Sequence, residues 1–195
     1  MYTGSHNTLT YLPPAKWWMR PFRWLYRCQN KTLDQQLLSG INLIDLRVRF
    51  DNFNHVIPCH GLYEAKKTYT IPDFIGFVLA QIAAYRTTNN IFIRLILEID
   101  RGDLWQEIAF KALCKKFAQF APCYITLTGG YRKGDWYKLV DLPEIPLVQC
   151  VSSMADDARF YERICPYLYA RRMNAVNREA YSHTTSKHIF LFDFL

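Results

Sequence analysis

Two histidines, an arginine and several carboxylates stand in this chain at positions where they could act on a phosphodiester. The first histidine lies in Gly4-Ser5-His6-Asn7-Thr8, and the second in Cys59-His60-Gly61. Between them runs the apolar stretch Ile44-Asp45-Leu46-Arg47-Val48. Side chains alternate along a strand, so a carboxylate and a guanidinium two residues apart share one face and enter the same enclosed space. Two imidazoles brought to that space could take up one proton and deliver another. A guanidinium between them would supply the fixed positive charge that a pentacoordinate phosphorus requires.

The elements that must position these residues can be read from the pattern of apolar residues. Strand-like runs at residues 1–3, 41–50, 55–59, 91–99, 123–127, 147–151 and 188–194, with 137–140 as a weaker eighth, alternate with helical patterns at 32–38, 72–86, 103–120 and 156–180. This alternation predicts an α/β chain with a parallel sheet. Pro72 suits a first helical turn, and Asp103 suits an N-cap ahead of Leu104, Ile108, Ala112 and Leu113 at helical spacing. Seven or eight short strands closing on themselves would give a small irregular (β/α) barrel of the TIM type, whose functional groups gather at the carboxyl ends of strands. His6, Asp45, Arg47, His60, Glu98 and Asp193 all fall at or near such ends. The run from Gly129 to Asp135 reads as a mobile surface loop.

Bulk properties narrow the class. The 195 residues, half of them hydrophobic and 16% aromatic, suit one domain spanning 1–195. The formal charge of +7 favours anionic partners. No recognition helix or basic-aromatic sheet motif supports nucleic acid as one of them. The six cysteines show no C-x-x-C pair and no metal-ligand spacing, so buried free thiols are expected rather than a disulfide framework or zinc site. The apolar runs are too short or interrupted to span a bilayer, and His6 comes too early to follow a secretory signal. A cytoplasmic, monomeric protein that meets membranes peripherally is therefore expected.

Residues 13–27 carry Trp17, Trp18 and Trp24 together with Lys16, Arg20, Arg23 and Arg27. Such a composition suits the headgroup boundary of an anionic membrane, and packing of the same rings on the barrel is the alternative. Pro21 argues against one continuous helix through the segment.

Ser5-His6-Asn7-Thr8, Cys28-Gln29, Gln36-Leu37 with Gly40-Ile41, Asp45-Leu46-Arg47 and His60-Gly61 resemble the X domain of phosphatidylinositol-specific phospholipase C in its small bacterial or phage-like form. Ile189 to Phe194 resembles the last barrel strand of the bacterial enzymes. The resemblance implies cleavage of the glycerol–phosphate bond of a phosphoinositide-type lipid by internal attack of the inositol 2-hydroxyl. His6 would be the base, Asp193 its tautomer-fixing partner, His60 the acid, Arg47 the phosphoryl clamp and Asp45 the residue orienting it. Asn7 and Glu98 would line the substrate beside Arg47. Calcium-dependent relatives would use Asn7, Asp45 and Glu98 as Ca²⁺ ligands, but Arg47 stands where that type has a further carboxylate, so no cofactor is expected. Asn7 departs from the metal-independent pattern, which has Asp there. Two other readings remain: a metal-dependent glycerophosphodiesterase and a catalytically idle lipid-binding barrel.

Overall fold

The apolar run Leu43–Phe50 forms the strand around which the sheet is organised, because it has neighbours on both sides and contributes side chains to both faces. A computed structural model describes residues 2–84, 91–98, 104–119, 124–129, 147–148, 159–183 and 189–193. The strands are β1 (Tyr2–Ser5), β2 (Leu43–Phe50), β3 (Val56–His60), β4 (Tyr63–Glu64), β5 (Ile91–Leu97), β6 (Tyr124–Gly129), β7 (Leu147–Val148) and β8 (Ile189–Phe192). The helices are α1 (Leu33–Leu38), α2 (Ile71–Ala84), α3 (Leu104–Ala118), α4 (Phe160–Ile164) and α5 (Pro166–His183), and a 3₁₀ segment covers Trp17–Leu25.

Six strands run parallel in the order β7-β8-β1-β2-β5-β6. The protein is thus a mixed α/β fold built on a largely parallel sheet. Among the described residues β6 and β7 are not paired with each other, so the sheet is open between them. The expected strand at 137–140, the Asp103 cap and most of the loop to Asp135 lie outside the described residues. Gly129 itself ends β6.

Two local outcomes differ from the sequence reading, and a third, at Pro21, follows it. The strand ending in His60 is not one of the parallel set: β3 pairs antiparallel with the far half of β2, Val48 opposite Pro58 and Phe50 opposite Val56. It then turns through Gly61 and Leu62 into β4. The linker after β2 is too short for a crossover, which needs a dozen or more residues, so the chain can only double back. Gly61, at φ +56°, takes the first central position of this two-residue turn, where a side chain would be strained. The helix expected over 156–180 is divided at Cys165 into α4 and α5. Pro166 holds the residue before it away from helical dihedrals, and Cys165 sits at φ −124°, ψ 86°. Pro21 kinks the tryptophan segment, with non-helical dihedrals at Phe22.

α1 starts where Gln35 reaches back to accept the Thr32 N–H at 3.1 Å, and it stops at Gly40, φ +83°, whose N–H returns to Leu37 O. α2 and α3 cover one face of the sheet. Ile44, Leu46 and Val48 point there and are fully buried among Phe74, Val78, Ile82, Leu113 and Phe117. The alternate residues of β2 face the opposite way, which leaves Asp45 and Arg47 on the inner side of the curved sheet. No helix among the described residues is long and apolar enough to cross a membrane.

Candidate active site

Strand register explains why the charged residues meet. Ser5 on β1 lies opposite Ile44 on β2 and Phe192 on β8, so the next residue of each chain segment brings His6, Asp45 and Asp193 to one level. Across the other edge of β2, Asp45 lies opposite Arg94 of β5. His6 Nδ1 and Asp193 Oδ1 are 2.7 Å apart, and His6 Nε2 is 2.8 Å from Arg47 Nη2. A guanidinium can only donate, so Nε2 is the accepting nitrogen and Nδ1 carries the proton given to Asp193. The β3 hairpin returns His60 to the same place: the two imidazole centroids are 6.2 Å apart with planes at 75°.

Asn7 stands between the rings. Its Nδ2 is 3.3 Å from His6 Nε2, 3.1 Å from His60 Nδ1 and 3.3 Å from Cys28 Sγ. Asn7 adopts φ +47°, a left-handed conformation that Asn tolerates better than most residues, and its N–H donates to Asp45 Oδ2 at 3.2 Å.

Arg47 and Asp45 are buried together, with Arg47 Nε 3.4 Å from Asp45 Oδ2 and Arg47 Nη1 3.7 Å from Glu98 Oε2. Arg94 Nε lies 3.8 Å from Asp45 Oδ1. Burial alone would raise the Asp45 carboxyl, but Arg47 and Arg94 outweigh it and hold the group below its ordinary range. The Arg47 guanidinium is opposed by burial and supported more strongly by Asp45 and Glu98, so its proton is held tighter than usual. Burial lowers the Arg94 guanidinium to about 10. Glu98 is pulled well below the carboxylate range against the effect of burial, by His60, Arg47 and the Gly61 N–H. For His60 burial dominates and lowers the imidazole, with Glu98 offsetting part of the loss.

A frame of side-chain amides holds the strand ends together. Gln29 Nε2 donates to His6 O at 3.0 Å and Phe192 O at 2.8 Å. Gln36 accepts from Ser5 Oγ and donates to Thr8 O at 3.0 Å. Asn174 on α5 clasps the Asp193 backbone, accepting its N–H at 3.0 Å and donating to its carbonyl. Sequence reasoning missed this use of Gln29, Gln36 and Asn174, and nothing in the local pattern around Asn174 gives it away. It also missed Arg94 and Arg49. Arg94 was detectable as a lone cation inside an apolar strand, and Arg49 continues the Asp45, Arg47 alternation.

Trp17, Trp18 and Trp24 do not enter the site. They are 77%, 49% and 42% exposed on the 3₁₀ segment, whose buried Met19 packs with Tyr26, Tyr63 and Ala65. Both roots of this excursion are tied beside His6, since Thr10 Oγ1 accepts the N–H groups of Cys28 and Gln29, each at 3.0 Å.

Two sets of donors could be considered for a metal. Asn7 Oδ1, Asp45 Oδ1 and Glu98 Oε2 are buried without hydrogen-bond partners, as oxygens awaiting a cation would be. The Arg47 guanidinium already lies between Asp45 and Glu98, however, where its fixed charge opposes a divalent cation such as Ca²⁺. The residues present do not fit that ion. His6, Cys28 and Asp193 also bring ligand atoms within 4.8 Å of one another. There the imidazole–carboxylate hydrogen bond occupies two of the three, and burial with the nearby Asp193 charge pushes the Cys28 thiol well up, away from the thiolate a metal needs. The four described cysteines, Cys28, Cys59, Cys114 and Cys165, are free.

Comparison with known proteins gives the fold its class: it is that of bacterial phosphatidylinositol-specific phospholipase C. A variant of the enzyme from Staphylococcus aureus superimposes at a TM-score of 0.63, with 12% identity, over 99% of this chain and 84% of that one. A second Staphylococcus aureus structure, concerned with modulation of membrane binding, gives 0.61 at 11% identity over 99% and 85%. The Listeria monocytogenes enzyme gives 0.58 at 15% identity over 99% and 87%. No family model matches the sequence, and no curated protein does.

The two buried site carboxylates, Asp45 and Glu98, contribute to the acid dependence of stability. Their folded values lie below the ordinary 3.8 of Asp and 4.5 of Glu, so the stability they contribute is present above those values and is lost as pH falls through the folded ones. The denaturation midpoint is expected to drop as pH is lowered below about 4.5. Asp45→Asn should cost about 3–5 kcal/mol at neutral pH, because it leaves buried guanidinium groups uncompensated, and should flatten the acid decline. Midpoints unchanged between neutrality and strong acid would refute the assignment.

Proposed function

We propose that the protein is a phosphodiesterase of the phosphatidylinositol phospholipase C kind, acting on a phosphoinositide-type lipid or a related phosphodiester at a membrane surface. One observation carries the reading: two imidazoles stand with ring centroids 6.2 Å apart beside a buried guanidinium, and one of them is already set in the tautomer a base needs. In the cleavage step His6 Nε2 takes the proton of the internal hydroxyl, whose oxygen forms a bond to phosphorus. The bond from phosphorus to the glycerol oxygen breaks, and His60 delivers a proton to that oxygen. A cyclic phosphodiester and a free alcohol result, so protons and charge balance.

Arg47 has a part in both states. Before substrate arrives it occupies the basic nitrogen of His6. An entering phosphate anion draws the guanidinium onto its own oxygens, frees Nε2, and places the base beside the hydroxyl it must deprotonate. Asp45 orients Arg47, and Asp193 holds the His6 tautomer and stabilises the imidazolium. The inositol head rests on the likeness of fold together with this geometry. The same likeness supports a closed irregular barrel, which would require the sheet to continue from β6 toward β7.

Cleavage is read as metal-independent, with the guanidinium supplying the positive charge a divalent ion would otherwise bring. The exposed face of the 3₁₀ segment, with Trp17, Trp18, Phe22, Trp24 and Leu25 among Lys16, Arg20 and Arg23, is read as the contact with anionic lipid. Its roots beside His6 would then direct the mouth of the site toward the bilayer, and membrane binding is described for the Staphylococcus aureus enzyme as well.

His6→Ala and His60→Ala are each expected to lower turnover of phosphatidylinositol by roughly 10²–10⁴-fold without unfolding the protein, and phosphorus NMR of the wild-type product should show a five-membered cyclic phosphate. Wild-type rates in either variant would remove its role. Activity should persist in EDTA; loss restored by Ca²⁺ would show that Arg47 does not replace a metal. Replacing Trp17 and Trp18 by Ala should weaken binding to anionic vesicles while sparing cleavage of a soluble short-chain substrate, whereas equal losses would mean that the rings serve packing.

A further inference from the structure

His6 has a carboxylate of its own, Asp193, in direct contact. The nitrogen of His60 that faces into the protein meets two groups instead: the neutral Asn7 amide at 3.1 Å and Glu98 Oε1 at 3.7 Å. Hydrogen bonds fix Glu98 between β2 and the His60 turn. Its Oε1 accepts the N–H of Gly61, the residue after His60, at 2.6 Å. Its own N–H is fixed to Val48 O at 3.0 Å, and its carbonyl accepts from Arg49 Nε at 2.6 Å. Arg49 also donates to Gly61 O at 2.7 Å, which closes a ring of hydrogen bonds through Glu98, Arg49 and Gly61. The second oxygen, Oε2, is buried without a hydrogen bond and lies 3.7 Å from Arg47 Nη1.

We propose that Glu98 is the positioning residue of His60, gripping the β3–β4 turn through Gly61 and setting a negative charge behind the imidazole that protonates the leaving oxygen. The inference rests on the phosphodiesterase reading above. The groups facing His60 are Arg47 from β2, His6 from the end of β1 and Glu98 from the end of β5, with Asn7 uncharged between. Two of these neighbours are cationic or become so when His6 takes up a proton. Without a carboxylate behind it, the ring would give up its proton to the surroundings before the alcohol needs it. Glu98 touches no reacting atom. It fixes which edge of the ring is turned inward, and so presents Nε2 to the substrate.

A role confined to the acid step makes a distinctive kinetic pattern. Two soluble substrates with the same inositol phosphate head are compared, one with an alkyl alcohol as leaving group and one with nitrophenol. The alkoxide must be protonated as it departs, and the nitrophenolate need not be. Glu98→Gln keeps an oxygen for the Gly61 N–H and removes the charge. It is expected to lower kcat on the alkyl ester by roughly 10²-fold and on the nitrophenyl ester by less than about threefold, as His60→Ala should, while Glu98→Asp recovers part of the loss on the alkyl ester. Asp45→Asn, which disturbs the phosphoryl clamp, should reduce both alike. Equal losses for Glu98→Gln on the two esters, or none on either, would overturn the positioning role. Equal losses for His60→Ala would instead overturn the acid assignment beneath it, and a wild-type protein inactive on both would overturn the phosphodiesterase reading itself.

Discussion

A guanidinium buried at the centre of the sheet is the constraint to which the site conforms. Arg47 is 8% exposed, and a cation so placed is tolerated only if carboxylates and acceptors surround it. Asp45 reaches it along the same strand face, Glu98 from the end of β5, and His6 Nε2 from the end of β1. Each demand has a consequence elsewhere. A histidine that accepts from Arg47 must donate from its other nitrogen, so Asp193 is needed on β8. Asp45 is fully buried beneath the Asn7 turn, and Arg47 and Arg94 together offset the cost of burying its charge. The site is therefore a single electrostatic unit in which each carboxylate faces a cation or an imidazole.

That unit is mechanically joined to the exposed aromatic segment. The Tyr26 and Tyr63 rings stack at 4.6 Å with planes within 8°, linking the end of the 3₁₀ segment to the first residue of β4. Ala15 N–H donates to Glu64 O at 2.8 Å, and Lys66 N–H to Pro13 O at 2.8 Å, on the same seam. β4 follows the turn that carries His60. The segment that presents tryptophans to the surroundings and the hairpin that presents the second imidazole thus share one small core of Met19, Tyr26, Tyr63 and Ala65.

Much of this was legible in the residues. The alternation of Asp45 and Arg47 within an apolar run placed both on one inner face, because strand geometry allows nothing else. The kink at Pro21 followed from the ring that fixes its dihedral. The antiparallel course of β3 was not foreseen, since a strand's direction is not written in its own composition; the short linker after Phe50 was the available signal. The division at Cys165 could have been read from Pro166. Arg49 and Asn174 escaped because their work is done through backbone groups distant in sequence.

The sequence alone determined which chemistry the chain can attempt: which groups can hold or move a proton, which carry fixed charge, and which face of each strand they occupy. These are properties of side chains and of local periodicity. Only the tertiary structure decided which histidine contacts Asp193, which accepts from Arg47, and that Glu98 stands behind the other. Those pairings depend on register between strands separated by tens of residues, where a shift of one position would turn every inner side chain outward.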